Sequence, residues 1–137
     1  MYAKCRVYDK HLKVVRDVKY IDFTNKEVMY YADDFEGNED EVSLDIVRGF
    51  DEVNLMWSTG LKDEEGKDIY EGDLIEYRDG EESFKGEVLI GCFGSYIKHD
   101  GDYTSFEDIS DENTRLAGNC YVVGNIYEDQ DIEVKND

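Results

Sequence analysis

A chain of 137 residues with 40% hydrophobic and 13% aromatic residues can bury a core, and this composition argues against a disordered protein. Its formal net charge of −20 excludes general attraction to duplex DNA, because phosphates are bound largely through Lys and Arg. No apolar run approaches the ~20 residues that span a bilayer, so we expect a cytoplasmic protein without a membrane partner.

The charge is unevenly distributed along the chain. Residues 1–31 carry seven basic and four acidic side chains, a balance of +3, which leaves −23 for the remainder. This opposition favours a protein partner with a basic face, or self-association between copies. Three alternatives remain open: an acidic mimic of nucleic acid, nucleic-acid binding by the basic segment, and a surface charge that serves only solubility. In the second, Lys4, Arg6, Lys13, Arg16 and Lys19 would contact phosphates, with Tyr8 and Tyr20 available for stacking.

The N-terminal region, residues 1–58, predicts β-hairpins. Alternating apolar residues rich in Val, Ile and Tyr indicate strands, with turns between them at residues 9–11 and 24–26. Residues 33–41 include one apolar residue and predict an exposed acidic loop, which lacks the ligand spacing of a calcium loop. The predicted strands span residues 5–8, 12–20, 20–23, 27–31, 42–47 and 53–58, with a turn at 48–52. One or two helical turns over residues 43–50 are the alternative for that segment.

Residues 59–75 are the most informative stretch, because they place two turns and the start of a strand close together. Gly66 supplies the positive φ of the first turn, and Gly72 with Asp73 forms the second. The Asp79-Gly80 pair predicts a hairpin, and Gly86 in the returning strand predicts a bulge or a bend. The predicted strands here span residues 74–78, 84–90, 92–98, 103–106 and 120–127, a spacing typical of a barrel or sandwich.

Two segments resemble the YopX family of small phage and prophage proteins. One begins Thr59-Gly60-Leu61-Lys62-Asp63 and continues through Gly72-Asp73, and the other reads Gly124-Asn125-Ile126-Tyr127-Glu128. The resemblance covers residues 55–79 and 119–129, with a weaker match at Arg6-Val7-Tyr8-Asp9. It implies a mainly β fold with an SH3-like small barrel over residues 59–137, preceded by β-hairpins over residues 1–58 or merged with them into one domain. It implies no activity, catalytic residue or cofactor.

Several polar residues of these two segments are candidates for an interaction surface. An internal role is the alternative, in which Asp73 accepts hydrogen bonds from turn amides and Tyr70 packs at a rim. The candidate surface comprises Lys62, Asp63, Tyr70, Glu71, Asp73, Asn125, Tyr127 and Glu128. Gly60, Gly66, Gly72 and Gly124 are expected to be structural turns.

No arrangement of residues predicts catalysis or metal binding. The three cysteines, Cys5, Cys92 and Cys120, lack Cys-x-x-Cys spacing and are expected to be buried in strands. His11 and His99 stand apart from each other and from the cysteines. Carboxylate pairs are inevitable among 35 acidic residues, so they do not indicate acid–base chemistry. We therefore expect a non-enzymatic binding protein without a cofactor or metal ion.

Overall fold

The computed structural model describes residues 4–32 and 45–128, and their regular structure is mainly β, which confirms the predicted fold class. The chain divides into two compact units, residues 1–56 and 57–137; the sequence placed a boundary at 58/59. The predicted acidic loop at residues 33–41 lies outside the described residues. No helix in the described ranges is long and apolar enough to cross a membrane.

The first unit begins with the two predicted hairpins. Strand β1 (Cys5–Asp9) pairs with β2 (Val14–Asp17), and β3 (Tyr20–Asp22) pairs with β4 (Glu27–Tyr31). Strand β5 (Asp45–Gly49) pairs with the other edge of β4. The turn predicted at 48–52 is instead the end of β5 and a short 3₁₀ helix, Phe50–Glu52, because the Gly49 amide donates to the Glu52 carboxylate and closes that turn.

The long strand β6 (Val53–Lys62) begins in the first unit and ends in the second. Within the first unit β1 pairs with β2 along one edge. Alternation along β1 buries Cys5, Val7 and Asp9. Val7 joins Val28, Tyr30 and Val53 in the apolar core of this unit, and Asp9 is therefore a carboxylate at a core position.

The second unit contains the last part of β6 paired with β7 (Asp68–Tyr70), and a five-stranded antiparallel sheet. The sheet order is β11-β10-β9-β8-β12, which is consistent with an SH3-like barrel. Its strands are β8 (Asp73–Arg78), β9 (Ser83–Gly91), β10 (Gly94–His99), β11 (Asp102–Ser105) and β12 (Cys120–Asn125).

The core of the second unit combines side chains from one face of this sheet with others from β6, β7 and the segment that precedes β12. Ile75, Val88, Ile97 and Cys120 are buried there. Phe106 also joins this core, but it begins a short helix α1 (Phe106–Ile109) rather than ending a strand as predicted. The reason is a helix N-cap at Ser105, whose hydroxyl accepts a hydrogen bond from the Glu107 amide. The alternation of apolar and polar residues over 103–106 had suggested a strand instead.

The bulge considered at Gly86 and the burial expected for Cys92 are both wrong, whereas the bend considered at Gly86 stays a prediction. The β8–β9 register passes through Ile75 opposite Gly86 without a shift, so Gly86 does not form a bulge. A Cβ at Gly86 would lie 2.3 Å from the Lys98 carbonyl oxygen, and the glycine permits this close approach. Cys92 is exposed in the β9–β10 turn rather than buried, because the turn carries it beyond the paired strands.

The four signature glycines differ in their positions. Gly66 and Gly72 lie in turns, with φ of 84° and 90°. Gly60 lies inside β6 rather than in a turn, and its φ of 78° coincides with a register shift between Ser58 and Lys62. Gly124 also lies in a strand, β12, next to a second register shift. These two glycines therefore accommodate irregular strand pairing.

Candidate functional site

The two signature segments, although distant in sequence, pack together in the second unit. Strand β8 pairs with β12, so that Asp73 lies opposite Asn125. The Glu64 amide donates to the Cys120 carbonyl at 2.8 Å, and the Ile126 amide donates to the Gly72 carbonyl at 2.9 Å. The two segments therefore form one continuous hydrogen-bonded assembly.

Asp63 holds this assembly together through a fully buried carboxylate. One oxygen accepts hydrogen bonds from the amides of Glu65 (2.9 Å) and Lys67 (2.8 Å), which closes the β6–β7 turn. The other accepts from the Val122 amide at 2.9 Å, which ties that turn to β12. Both oxygens are thus occupied by backbone donors, and this side chain serves the fold.

Asp73 and Asn125 have the same kind of role at the opposite end of β12. The buried Asp73 carboxylate accepts from the Tyr70 amide at 2.8 Å, as the internal alternative anticipated. The Asn125 side-chain oxygen accepts from the amides of Tyr127 (3.0 Å) and Glu128 (2.8 Å). Its nitrogen donates to the Glu128 carboxylate at 2.8 Å. These bonds fix the turn that follows β12.

Four of the eight candidate surface residues are therefore buried: Asp63, Tyr70, Asp73 and Asn125. The other four are exposed or half-buried: Lys62, Glu71, Tyr127 and Glu128. Lys62 lies on the β6–β7 hairpin and pairs with Asp68 at 3.2 Å. Burial, together with the negative charges of Glu71 and Glu87, raises the pKa of Tyr127. The structure thus does not gather all eight side chains into one exposed patch.

Asp9, in the first unit, is a third buried aspartate that accepts hydrogen bonds from the amides of a turn. One oxygen accepts from the amides of His11 (2.8 Å) and Leu12 (3.1 Å), and the other from the Tyr30 hydroxyl and from Arg48 Nε at 2.9 Å. Burial alone would raise the pKa of Asp9, but these hydrogen bonds outweigh it and lower the pKa. The sequence signal was an acidic residue at an inward position of β1.

The basic residues of the N-terminal segment are partly engaged within the first unit. Arg6 pairs with Asp17 at 3.5 Å. Arg16 Nη1 donates to its neighbour's carbonyl, that of Val15, at 2.9 Å. Lys19 Nζ lies 4.2 Å from the centre of the Tyr31 ring and donates to its hydroxyl. Three of the five side chains proposed to contact phosphates therefore already interact with protein groups. This does not favour binding of nucleic acid by the N-terminal segment.

The second unit contains a surface groove of about 570 Å³ between the β8–β9 turn and the β10–β11 hairpin. We call it the acidic groove. Three carboxylates and three rings characterise its lining: Glu81, Glu82, Phe84, His99, Asp102 and Tyr103. The sequence did not indicate this site, because residues 81–84 and 99–104 meet only through the pairing of β9 with β10 and of β10 with β11.

Stacked rings form one side of the acidic groove. Phe84 lies between Tyr77 and His99, with ring centroids 4.9 and 3.8 Å away and interplanar angles of 16° and 13°. His99 Nε2 is 2.7 Å from the Thr104 hydroxyl, which positions the last ring of the stack. Contacts with neighbouring side chains therefore fix the orientation of the Phe84 and His99 rings, which present a planar surface at the groove.

Asp79 fixes the turn that carries the groove's two glutamates. Its carboxylate accepts from the amides of Glu82 (2.6 Å) and Glu81 (2.9 Å), and these bonds lower the pKa of Asp79. Glu81, Glu82 and Asp102 are exposed, and no ion pair among the described residues includes any of them. The groove therefore combines a fixed planar surface with carboxylates that lack a cationic partner in the described part of the chain.

The wider second unit reinforces this negative charge. Residues 57–128 contain 18 acidic and 6 basic side chains, a net charge of −12. In the two described ranges, no three His, Cys, Asp or Glu side chains are grouped so as to hold a metal ion. The expected lack of a metal ion or cofactor stays a prediction.

Comparison with known proteins gives a family and a fold. A family model described as "YopX protein" matches residues 4–132. The crystal structure of protein EF1440 from Enterococcus faecalis is similar over 96% of this chain and 98% of that chain, with a TM-score of 0.59 and 20% sequence identity. At this identity the similarity shows the fold alone. None of the curated proteins compared with the chain matches it.

Proposed function

Because the chain belongs to the YopX family, we propose that it is a phage- or prophage-encoded, non-enzymatic module that binds a protein partner with a basic face. The acidic groove is the observation that carries this proposal. Its three carboxylates are exposed beside a stacked aromatic surface, and the described ion pairs leave them uncompensated. A cationic surface of a partner would supply the missing charge.

The internal roles of the signature residues support an interface elsewhere. Asp63, Asp73 and Asn125 use their side-chain oxygens to accept hydrogen bonds from turn amides. Residues with such roles are required for folding whatever the protein binds. We therefore infer that the signature preserves the scaffold, and that the partner is recognised by side chains outside it.

The charge of the second unit also supports a basic partner. A net charge of −12 over residues 57–128 steers cationic surfaces toward this unit and opposes docking of nucleic acid. At physiological salt the Debye length is about 8 Å, so this effect acts mainly during encounter and at the rim of an interface. Such a complex should form more slowly and dissociate more readily as salt rises.

The same charge supports a second candidate, an acidic mimic of nucleic acid. In that case the partner's basic face would itself be a nucleic-acid site, whereas an ordinary partner would bind nucleic acid elsewhere or not at all. Competition separates the two. A short duplex should displace the protein from its partner only if the protein acts as a mimic.

An unbiased selection tests the proposed function. A library of random peptides displayed on phage would be panned against the immobilised full chain, in parallel with a binding assay that uses a labelled duplex of about 20 base pairs. We expect enrichment of peptides with clustered Arg or Lys beside an apolar residue, and no retention of the duplex. A selection without cationic enrichment, or salt-sensitive retention of the duplex, would reject the proposal.

A further inference from the structure

We infer that the acidic groove is a binding site for an arginine side chain of the partner, an inference that rests on the proposed function and makes it specific. The groove offers the two features that a guanidinium group uses, a planar surface for stacking and carboxylates for its N–H donors. Within residues 57–128, the part of the second unit that the structure describes, no other acidic stretch lies beside a stack of parallel rings.

The ring stack provides the first of these features. Phe84 stacks against Tyr77 and against His99, and the rings of Phe84 and His99 both line the groove. Because the three rings are nearly parallel, a planar group placed against His99 would continue the series. A guanidinium is planar and weakly hydrated, whereas a lysine ammonium is compact and strongly hydrated.

The carboxylates provide the second feature, and they come from two different elements that line the groove. Glu81 and Glu82 come from the turn that Asp79 fixes. Asp102 is the cross-strand neighbour of His99 in the β10–β11 pair, and therefore lies beside the terminal ring. Several carboxylates in one groove suit the forked donors of a guanidinium better than they suit a single point charge.

The groove has room for more than one side chain. Its volume of about 570 Å³ falls within the range of ~300–1,000 Å³ that is typical of small-molecule sites. The Tyr103 side chain also lines the groove and is 60% exposed, so it can pack against the aliphatic part of a bound side chain or its neighbour. The expected ligand is thus a short peptide segment with one arginine in the groove.

Three peptides separate guanidinium recognition from general attraction to a negative protein. Each would contain about nine residues of Gly and Ser with three arginines, three lysines or three citrullines, the last being neutral and of similar shape to arginine. Binding to the full chain would be measured by fluorescence anisotropy at about 50 mM salt, where electrostatic attraction is weakly screened. We expect the arginine peptide to bind at least about threefold more tightly than the lysine peptide, and the citrulline peptide to bind weakest.

The chain provides a closely matched control for the groove. Glu81→Gln with Glu82→Gln removes two negative charges at the groove. As a control, Glu64→Gln with Glu65→Gln removes two negative charges from another exposed turn, which is likewise fixed by an aspartate that accepts hydrogen bonds from turn amides. We expect the groove variant to weaken arginine-peptide binding at least about fivefold, and the control to weaken it less than twofold. Thermal unfolding of both variants verifies that they are folded.

A further variant, His99→Leu, tests the stacking surface separately. It keeps an apolar side chain of moderate size and removes the ring, so the preference for arginine over lysine should disappear while part of the charge attraction remains. The two Gln variants retain the ring stack and keep the proposal testable if His99→Leu does not fold.

The outcomes distinguish the groove from the proposed function. If the groove variant and the control variant bind the arginine peptide equally, or if lysine and arginine peptides bind equally to the wild type, the arginine site is overturned while a basic partner is retained. If no cationic peptide binds at all, both proposals are rejected. Selective loss in the groove variant together with the arginine preference supports the site.

Discussion

Replacement of Asp63 by Asn should destabilise the second unit strongly, although the substitution removes only a charge and preserves size. The carboxylate accepts three backbone hydrogen bonds, two on one oxygen and one on the other. An amide can retain an oxygen for the two turn donors, but its NH₂ group then faces the Val122 amide. If the group is flipped, the NH₂ faces the amides of Glu65 and Lys67 instead.

The magnitude follows from these bonds. Loss of a bond to a charged acceptor with a donor left unpaired costs about 2 kcal/mol. The two remaining bonds lose their charge assistance, which costs about 0.5–1 kcal/mol each. The expected decrease in the free energy of unfolding is therefore about 3–4 kcal/mol, a large share of the ~5–15 kcal/mol that stabilises a typical domain.

Urea denaturation followed by the fluorescence of Trp57, the single tryptophan, measures this change, because Trp57 lies on β6. Glu65→Gln is the control, since Glu65 lies in the same turn and its side chain is exposed. The control should remain within about 0.5 kcal/mol of the wild type. If the free energy of unfolding of Asp63→Asn is also within about 1 kcal/mol of the wild-type value, the hydrogen bonds of Asp63 do not have the proposed role in stability.

Three further predictions concern buried groups and glycines. Because its hydrogen bonds lower the pKa of Asp9 below 3.8, its contribution to stability is present above that pH and is lost as pH falls through the folded-state pKa. Tyr30→Phe removes one of those bonds, so the acid-unfolding midpoint measured by circular dichroism should move to higher pH; an unchanged midpoint would contradict this. Gly86→Ala should destabilise by about 1–3 kcal/mol in urea because its Cβ would meet the β10 backbone, whereas Gly118→Ala, whose nearest atom is 3.9 Å away, should be nearly neutral; equal effects would show that the close approach relaxes without cost. Gly72→Val should cost about 1–3 kcal/mol because the glycine has a φ of 90°, and wild-type-like urea unfolding would refute it.

Local sequence patterns predicted most of the strands of this fold. The hairpin around residues 24–26 and the strand after Gly72 follow from apolar alternation and turn residues, which act over a few positions. The Ser105 cap was not recognised, because its alternating neighbours suggested a strand that continued to Phe106. Gly86 likewise has a tertiary cause, since the β10 backbone lies against it and no pattern within β9 records that approach.

The candidate site was harder to predict, because burial and pairing decide which polar residues are available. Asp63 and Asn125 are polar residues of the kind that forms binding surfaces. In the structure, however, their side-chain oxygens accept hydrogen bonds from backbone amides of a distant strand or of the following turn. The acidic groove, in contrast, depends on the cross-strand placement of His99 and Asp102 beside the turn that carries Glu81. The pairing of β9, β10 and β11 creates that arrangement, and it brings together residues that no local pattern relates.

The most direct test of the central claim is a two-dimensional NMR titration of the ¹⁵N-labelled full chain with the arginine peptide. Recognition at the acidic groove predicts saturable shifts of the backbone amides of Phe84, His99 and Tyr103, with those of Glu65 and Lys67 unchanged. Largest shifts at the signature amides, or small shifts spread over all acidic surfaces, would contradict binding at the groove.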